Sequence, residues 1–310
     1  MRAWALHIGV IAALWAAQFV LPDYPHLMMT RIMVLAVLAS GYNLLFGYAG
    51  LLSLGHAMFF AAGMYGAGLP AYYAGWGAGP AFLAGVAAGT AGAFAIGLLA
   101  LRTTGTAFMI VTMMFAQVAQ MALLYFTEWT RGDEGLSLPA TARRLGPLDL
   151  TDAGVRYNLA LALLALALAA VLGIVRGPLG RALVAIRENE ARTEMLGYDT
   201  FRLKLMALTL SGLLSAAAGA AYGLLFGYIG ASFAGVQYSI EALLFTLLGG
   251  AGTVLGPLLG TAVMTWMIDI AADHTSAWLL AVGVMLILLV LFFRKGLLGR
   301  LREGWVPWLP

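Results

Sequence analysis

Long apolar blocks recur along this chain from one end to the other, separated by short polar or glycine-rich gaps. Ten can be drawn, at roughly 4–21, 28–46, 52–74, 79–101, 105–127, 157–175, 204–228, 236–250, 254–272 and 277–293. A helix needs about 20 apolar residues to cross a hydrocarbon layer of about 30 Å. Most blocks meet that length, so the pattern predicts an all-α polytopic integral membrane protein with about ten transmembrane helices. Met1-Arg2 followed by an apolar run to Leu21 resembles a secretory signal. The run exceeds the roughly 7–15 apolar residues of such signals and nine more blocks follow, so it reads as an uncleaved first span. Block 236–250 is short and carries Glu241. It is expected to be a half-helix completed by protein packing, because broken backbone is tolerated at membrane depth only when buried or wet.

Two gaps are long enough to carry structure. Residues 128–156 are polar and punctuated by Gly and Pro, as a true extramembrane loop would be. In the gap 176–203, Gly177-Pro178 and Gly180 break the preceding span. Residues 181–196 then hold good helix formers with no Gly or Pro, and Gly197 stands where a C-terminal cap is expected. Glu188 and Arg192 have the spacing of a pair on one helix face. Such a helix between two spans either receives a push from a cytoplasmic partner or lies on lipid. Its mixed charges, with Glu188, Glu190, Glu194 and Asp199 among the arginines, weigh against lipid alone.

Charge then sets orientation. With the gaps numbered alternately from the inside, twelve of the seventeen Lys and Arg fall on one side, among them Arg2, Arg102, Arg176, Lys204, Lys295 and Arg302. Five fall on the other: Arg31, Arg131, Arg143, Arg144 and Arg156. The positive-inside rule puts both termini and 176–203 in the cytoplasm and 128–156 outside. Composition agrees with a bilayer as solvent: 62% hydrophobic, 10% charged, mean hydropathy +0.92, net charge +3 and 39 glycines. The absence of cysteine excludes disulfides, thiolate metal sites and cysteine nucleophiles.

An internal similarity is visible. LLFGYAGLLSLG (44–55) and LLFGYIGASFAG (224–235) agree at seven of twelve positions. Five spans separate them, so the copies would be inverted, as repeats in transporters often are; coincidence in a Leu/Gly/Ala-rich chain is the alternative.

No P-loop is present: Lys204 and Lys295 are the only lysines and neither follows a glycine. No paired His/Glu zinc motif appears, and no Ser/His/Asp set can be placed from spacing. The chain is therefore expected to bind no metal and no nucleotide and not to be an enzyme. Asn43, Ser53 and His56 lie among Gly47, Gly50, Gly55 and Gly63. They read either as the lining of a discontinuous pathway helix or as hydrogen-bonding glue between tightly packed helices. Glu241 either faces a cavity or reaches water at the external interface. Gln117 and Gln120 are expected to face neighbouring helices. Asp269, Asp273 and His274 are expected to be solvated at the outer surface. Trp305, Pro307 and Trp308 read as an interfacial anchor.

Four stretches carry a family resemblance. GRALVAIRENEARTEMLGYD (180–199) resembles the cytoplasmic coupling segment of branched-chain amino-acid ABC permeases, of the LivM type. Tyr42 to Gly68, Arg102 to Val118 with TRGDEGL (130–136), and LLGGAGTVLGPLLG (247–260) are similar to the same family in the same order. TRGDEGL departs from the commoner TGGxxGL by placing Arg131 at a usual glycine, which leaves the substrate open. The resemblance implies a single permease domain over 1–310, with 128–156 external and 176–203 as coupling loop, in a bacterial inner (plasma) membrane. It implies an importer of branched-chain or related amino acids, or of a similar small polar solute such as urea or an amide. A homologous second permease, two cytoplasmic ATPases that bind ATP and Mg, and a periplasmic or extracellular solute-binding protein would complete it. An ion-gradient-driven secondary transporter is the alternative. The residues that would couple to the ATPase are Arg181, Ala182, Leu183, Ile186, Arg187, Glu188, Asn189 and Glu190. Asn43, Ser53, His56 and Glu241 would line the pathway, with Gly47, Gly50, Gly55, Gly249, Gly250 and Gly252 breaking helices.

Overall fold

The computed structural model describes residues 2–274, positions 280, 283, 284 and 287, and 296–299. Most of the tenth apolar block, the basic residues Arg294, Lys295, Arg300 and Arg302, and the Trp305–Trp308 anchor lie outside the described residues. Each of the other nine blocks holds a helix: α1 (Arg2–Ala17), α2 (Asp23–Asn43), α3 (His56–Tyr73), α4 (Ala78–Ala100), α5 (Gly105–Tyr125), α7 (Ala153–Arg176), α10 (Thr200–Phe226), α11 (Val236–Gly249) and α12 (Gly256–His274). The gaps contribute short helices α6 (Thr127–Thr130), α8 (Pro178–Glu188) and α9 (Glu190–Met195). Among the described residues five helices are long and apolar enough to cross a membrane: α2 with its π-helical continuation to Tyr48, α4, α5, α7 and α10.

Small residues decide how these helices meet. The buried positions of α4 are Ala78, Ala81, Gly85, Gly89, Ala93, Gly97 and Ala100, a single stripe three or four residues apart. A Cβ on Gly89 would strike Ala216 of α10, and one on Gly63 of α3 would strike the Ala216 backbone. Without water to drive apolar helices together, such backbone approach supplies the packing. α3, α4 and α10 therefore form one close triple, while α2 is surrounded by α7, α10, α11 and α12. From Ile32 to Leu45 the side chains of α2 are buried without interruption. The opposite extreme is α5, which buries only Phe108, Thr112 and Ala116 and turns Ile110, Met114, Val118 and Met121 outward.

The internal similarity has a structural counterpart. A shift of 180 residues carries Leu44 onto Leu224 and the end of α2 onto the end of α10. In both copies the α-helix ends, irregular chain with one short π or 3-10 turn follows, and a new α-helix starts twelve residues after Leu44 and Leu224, at His56 and at Val236. Packing is exchanged in the same sense. α3 packs on α10 and α4, and α11 on α2 and α12; α4 packs on α10, and α12 on α2. The local ends differ. The first copy runs on through a π turn, Leu44–Tyr48, and reaches the left-handed region at Gly50 (φ +73°); the second does so at Gly227 (φ +73°).

The two long gaps hold more order than their composition suggests. In 128–156, β1 (Leu136–Ser137) pairs antiparallel with β4 (Tyr228–Ile229), which lies inside the second break. A second hairpin joins β2 (Arg144–Leu145) to β3 (Leu148–Asp149) through Gly146 at φ +61°. In 176–203 the single helix expected over 181–196 is instead two. Pro178 begins α8 at a first-turn position, where its missing amide costs nothing. Asn189 then leaves helical geometry (φ −161°, ψ 100°), and its side chain accepts the Arg192 amide at 2.9 Å to cap α9. Gly197, at φ +86°, closes α9 as expected.

Candidate functional site

The first break is held by side chains that bond to backbone. Asn43 donates from Nδ2 to the Thr253 carbonyl at 2.9 Å, and its Oδ1 accepts the Gly252 amide at 2.8 Å. One carboxamide thus ties the end of α2 to the turn between α11 and α12. Ser53 accepts the Gly55 amide at 3.2 Å, Thr112 accepts that of Leu54 at 3.2 Å, and Ser239 accepts that of Ala57 at 2.9 Å. Irregular chain at this depth must satisfy its amides from within the protein, and these contacts do so. Ser211 gives its single proton to the Gly41 carbonyl at 2.6 Å. The 2.6 Å contact between His56 Nε2 and Ser211 Oγ then assigns the ring proton to Nε2. His56 Nδ1 is buried without a hydrogen-bond partner among the described residues, and the ring rests on Tyr42 with centroids 4.6 Å apart. Asn43, Ser53 and His56 are fully buried; Asn43 and His56 bond across helices, whereas Ser53 holds the chain within its own break.

The glycines of this region are placed where a side chain would collide. A Cβ on Gly47 would strike Asn43 Oδ1 and the Gly252 amide; on Gly55, the Thr112 carbonyl; on Gly249, the Gly256 backbone. Gly250 and Gly252 add φ of +118° and +77°, which side chains rarely adopt.

Glu241 stands apart from that cluster. It faces Arg31 of α2 electrostatically and neighbours Gln237, with Tyr222 and Tyr238 in the same field. Arg31 lies twelve residues before Asn43, about 18 Å along the helix. Arg31 is exposed and Glu241 half-buried, and no ion pair joins them among the described residues. Phe60, Tyr222, Phe233 and Tyr238 form an aromatic group beside them, with centroids 4.9 Å apart for Phe233 and Tyr238. Glu241 is thus not the isolated acid that its sequence context suggests. Asp269 also has company, accepting the Tyr24 hydroxyl, whereas Asp273 and His274 are exposed. Gln120 sits beside Gly235, and Gln117 is on the exposed face of α5.

The helix pair α8–α9 presents a different face from the one expected. Ala182, Leu183 and Ile186 are buried within this chain, the latter two clustered with Leu44, Leu45 and Tyr48. The apolar stripe of α8 is spent on the end of α2 and is not free to pack against another protein. Arg181, Glu188 and Asn189 are exposed. Arg187 is exposed as well, yet its guanidinium reaches the end of α2 and donates from Nη1 to the Gly47 carbonyl. Glu190 is bound by Lys204, and Glu194 accepts the Thr200 hydroxyl at 2.7 Å, so α9 is latched to α10. Glu188 does not pair with Arg192, because the break at Asn189 takes them off a common face. Among the exposed charged residues stands an apolar patch: Met195 is 85% exposed, Leu196 71% and Tyr198 52%. The sequence signal for this patch is the run Met-Leu-Gly-Tyr immediately after a charged helix.

Residues 25–293 match the family described as branched-chain amino acid transport system / permease component. The high-affinity branched-chain amino acid transport system permease protein LivM of Salmonella typhimurium is 30% identical over 88% of this chain and 69% of its own length. The corresponding protein of Escherichia coli matches to the same extent. A shorter match, 30% identical over 47% of this chain and 43% of the relative, is to the autoinducer 2 import system permease protein LsrC of Photorhabdus laumondii. The ribose import permease protein RbsC of Haemophilus influenzae is 31% identical over 29% of each chain. No solved structure matches.

Proposed function

This chain belongs to the family of branched-chain amino acid transport system permease components, and from that premise we propose that it is the membrane-spanning subunit of an ABC importer that carries a branched-chain or related amino acid inward. The observation that carries the reading is the 30% identity to two LivM permeases across 88% of the chain. In the proposed assembly it pairs with a homologous permease. Two cytoplasmic ATPases bind and hydrolyse ATP with Mg, and a solute-binding protein delivers the cargo outside. Ten spans, with the last at 277–293 and both termini cytoplasmic, agree with the twelve-to-five distribution of basic residues. The domain is one, 1–310, in a bacterial inner membrane, with 128–156 external and 176–203 the coupling loop.

In this reading the exposed knob Met195, Leu196 and Tyr198, with Arg181 and Glu188, meets the ATPase. Asn43, Ser53 and His56 shape the inner part of the pathway, and Glu241 with Arg31 its outer part. The inverted relation of the two repeats is supported by the odd number of spans between them and by the exchanged packing of α2 and α10. The test is co-expression of the four kinds of subunit and reconstitution into liposomes. Uptake of labelled leucine, isoleucine or valine that requires internal ATP and survives collapse of ion gradients is expected. Uptake that follows an ion gradient without ATP overturns the reading in favour of a secondary transporter.

A further inference from the structure

A helix that stops at membrane depth leaves carbonyls at its end that must find donors within the protein. Both breaks solve this with an arginine from one of the two long gaps between apolar blocks. At the end of α10, Arg143 of the 128–156 loop donates from Nε to the Leu224 carbonyl at 2.8 Å and from Nη2 to that of Leu225. At the end of α2, Arg187 donates from Nη1 to the Gly47 carbonyl. The capped carbonyls lie at nearly matching places in the repeat, since Leu224 and Gly227 correspond to Leu44 and Gly47.

Arg187 does more than cap. Its aliphatic stem lies on Gly50, where a Cβ would run into Arg187 Cγ, and Gly50 is the residue at which the chain turns left-handed. Its guanidinium also lies beside Gly252, in the α11–α12 turn that Asn43 holds. One side chain of α8 therefore touches the end of the first broken helix and the turn that follows the half-helix α11. Next to it a cavity of about 520 Å³, lined by Tyr48, Val184, Glu188 and Ala251 among others, leaves space into which these parts can shift.

We propose that Arg187 is the positioning residue through which movement of the cytoplasmic helix pair reaches the first break and the α11–α12 turn. It links α8 to Gly47 and Gly252 directly and does not serve as a docking contact for the ATPase. The inference rests on the ABC permease reading. Absence of ATP-dependent uptake by the unaltered complex would sink that reading and leave this proposal without a subject. Given a working complex, the measurement is the amount of labelled amino acid moved per ATP hydrolysed in proteoliposomes, with leucine or whichever amino acid of the panel the binding protein retains. Arg187→Met keeps a stem on Gly50 and removes every donor. It should lower the transport-to-hydrolysis ratio about tenfold, as expected for loss of one charge-assisted hydrogen bond, while the ATPases still co-purify. Arg187→Lys restores a charged donor and should recover most of the ratio, which a merely structural role would not require. An unchanged ratio in Arg187→Met, loss of the bound ATPases, or failure of Lys to recover the ratio overturns the proposal. Should Arg187→Met not accumulate, a cysteine pair at Tyr48 and Ala251 in the otherwise unaltered chain reports the same motion. Crosslinking should differ between nucleotide-free and ATP-trapped complexes, and equal crosslinking in both, or in neither, overturns it.

Discussion

Arg131 is the single non-glycine among the described residues with a positive φ, at +60°. It ends α6 at a position where the resembled family commonly has glycine. A side chain there costs about 1–2 kcal/mol through the clash of Cβ with the carbonyl, partly offset by the extra freedom glycine brings to the unfolded chain. Arg131→Gly should therefore match or slightly exceed the parent in thermal stability in detergent. Arg131→Val, stiff at Cβ, should fall below it by about 1–2 kcal/mol. Equal melting of the two variants would mean that the left-handed geometry carries no strain. Asn43 is the other residue whose surroundings set a clear outcome. Asn43→Leu strands the Thr253 carbonyl and the Gly252 amide in the core, at about 1–3 kcal/mol each. Asn43→Asp keeps an acceptor for Gly252 but loses the donor to Thr253, so it should also lose folded protein on gel filtration. Wild-type yield and melting for both would remove Asn43 from its clamping role. None of this clamp is visible locally in the sequence: the partners lie 209 and 210 residues away. The polar-among-glycine pattern marks the place but not the contact.

At the scale of elements, the apolar blocks gave helices because length and composition suffice to specify a bilayer-spanning helix. The segment 176–203 was less legible because a side-chain cap, not a Gly or Pro, divides it. Asn189 competes with the helix by bonding the Arg192 amide, and helix propensities summed along 181–196 do not register that. The apolar face carries a related ambiguity. Amphipathicity tells that Ala182, Leu183 and Ile186 are covered but not by which protein, and the end of α2 covers two of them. Two substitutions separate rigidity from docking. Ala185→Pro removes an amide from α8 and clashes with the preceding turn at about 3 kcal/mol. The permease should insert, yet both uptake and stimulated ATP hydrolysis should fail. Leu196→Asp leaves α8 intact and places a charge in the exposed knob. It should reduce co-purification of the ATPase without lowering the melting temperature of the permease alone. Full ATPase retention in Leu196→Asp would exclude the knob as the docking surface.

The whole molecule joins two kinds of information that the chain carries separately. The repeat is legible as a seven-of-twelve match, and its meaning emerges only when α2 and α10 are seen to exchange partners. Each copy then supplies one long helix, one break and one following helix, and the two segments that flank α7 close the breaks with Arg143 and Arg187. This arrangement makes orientation testable, because a single crossing by α7 would place the two loops on opposite sides. The basic residues assign 176–203 to the cytoplasm and 128–156 to the outside. Ala140 and Ala191 are exposed in their respective loops, whereas Glu190 is tied to Lys204 and is a poorer reporter. The chain has no cysteine, so a single cysteine at either alanine gives an unambiguous signal. In intact cells an impermeant thiol reagent should label Ala140→Cys and spare Ala191→Cys. After permeabilisation both should react, which establishes that the protected site is shielded by the membrane and not by folding. The reverse pattern would invert the molecule and put the Met195–Tyr198 knob outside, where no ATPase could reach it. Labelling of both sites in intact cells would require an odd number of spans to be added or lost between residues 140 and 191. α7 is the candidate for such an error, and its 24 apolar-rich residues argue that it crosses once.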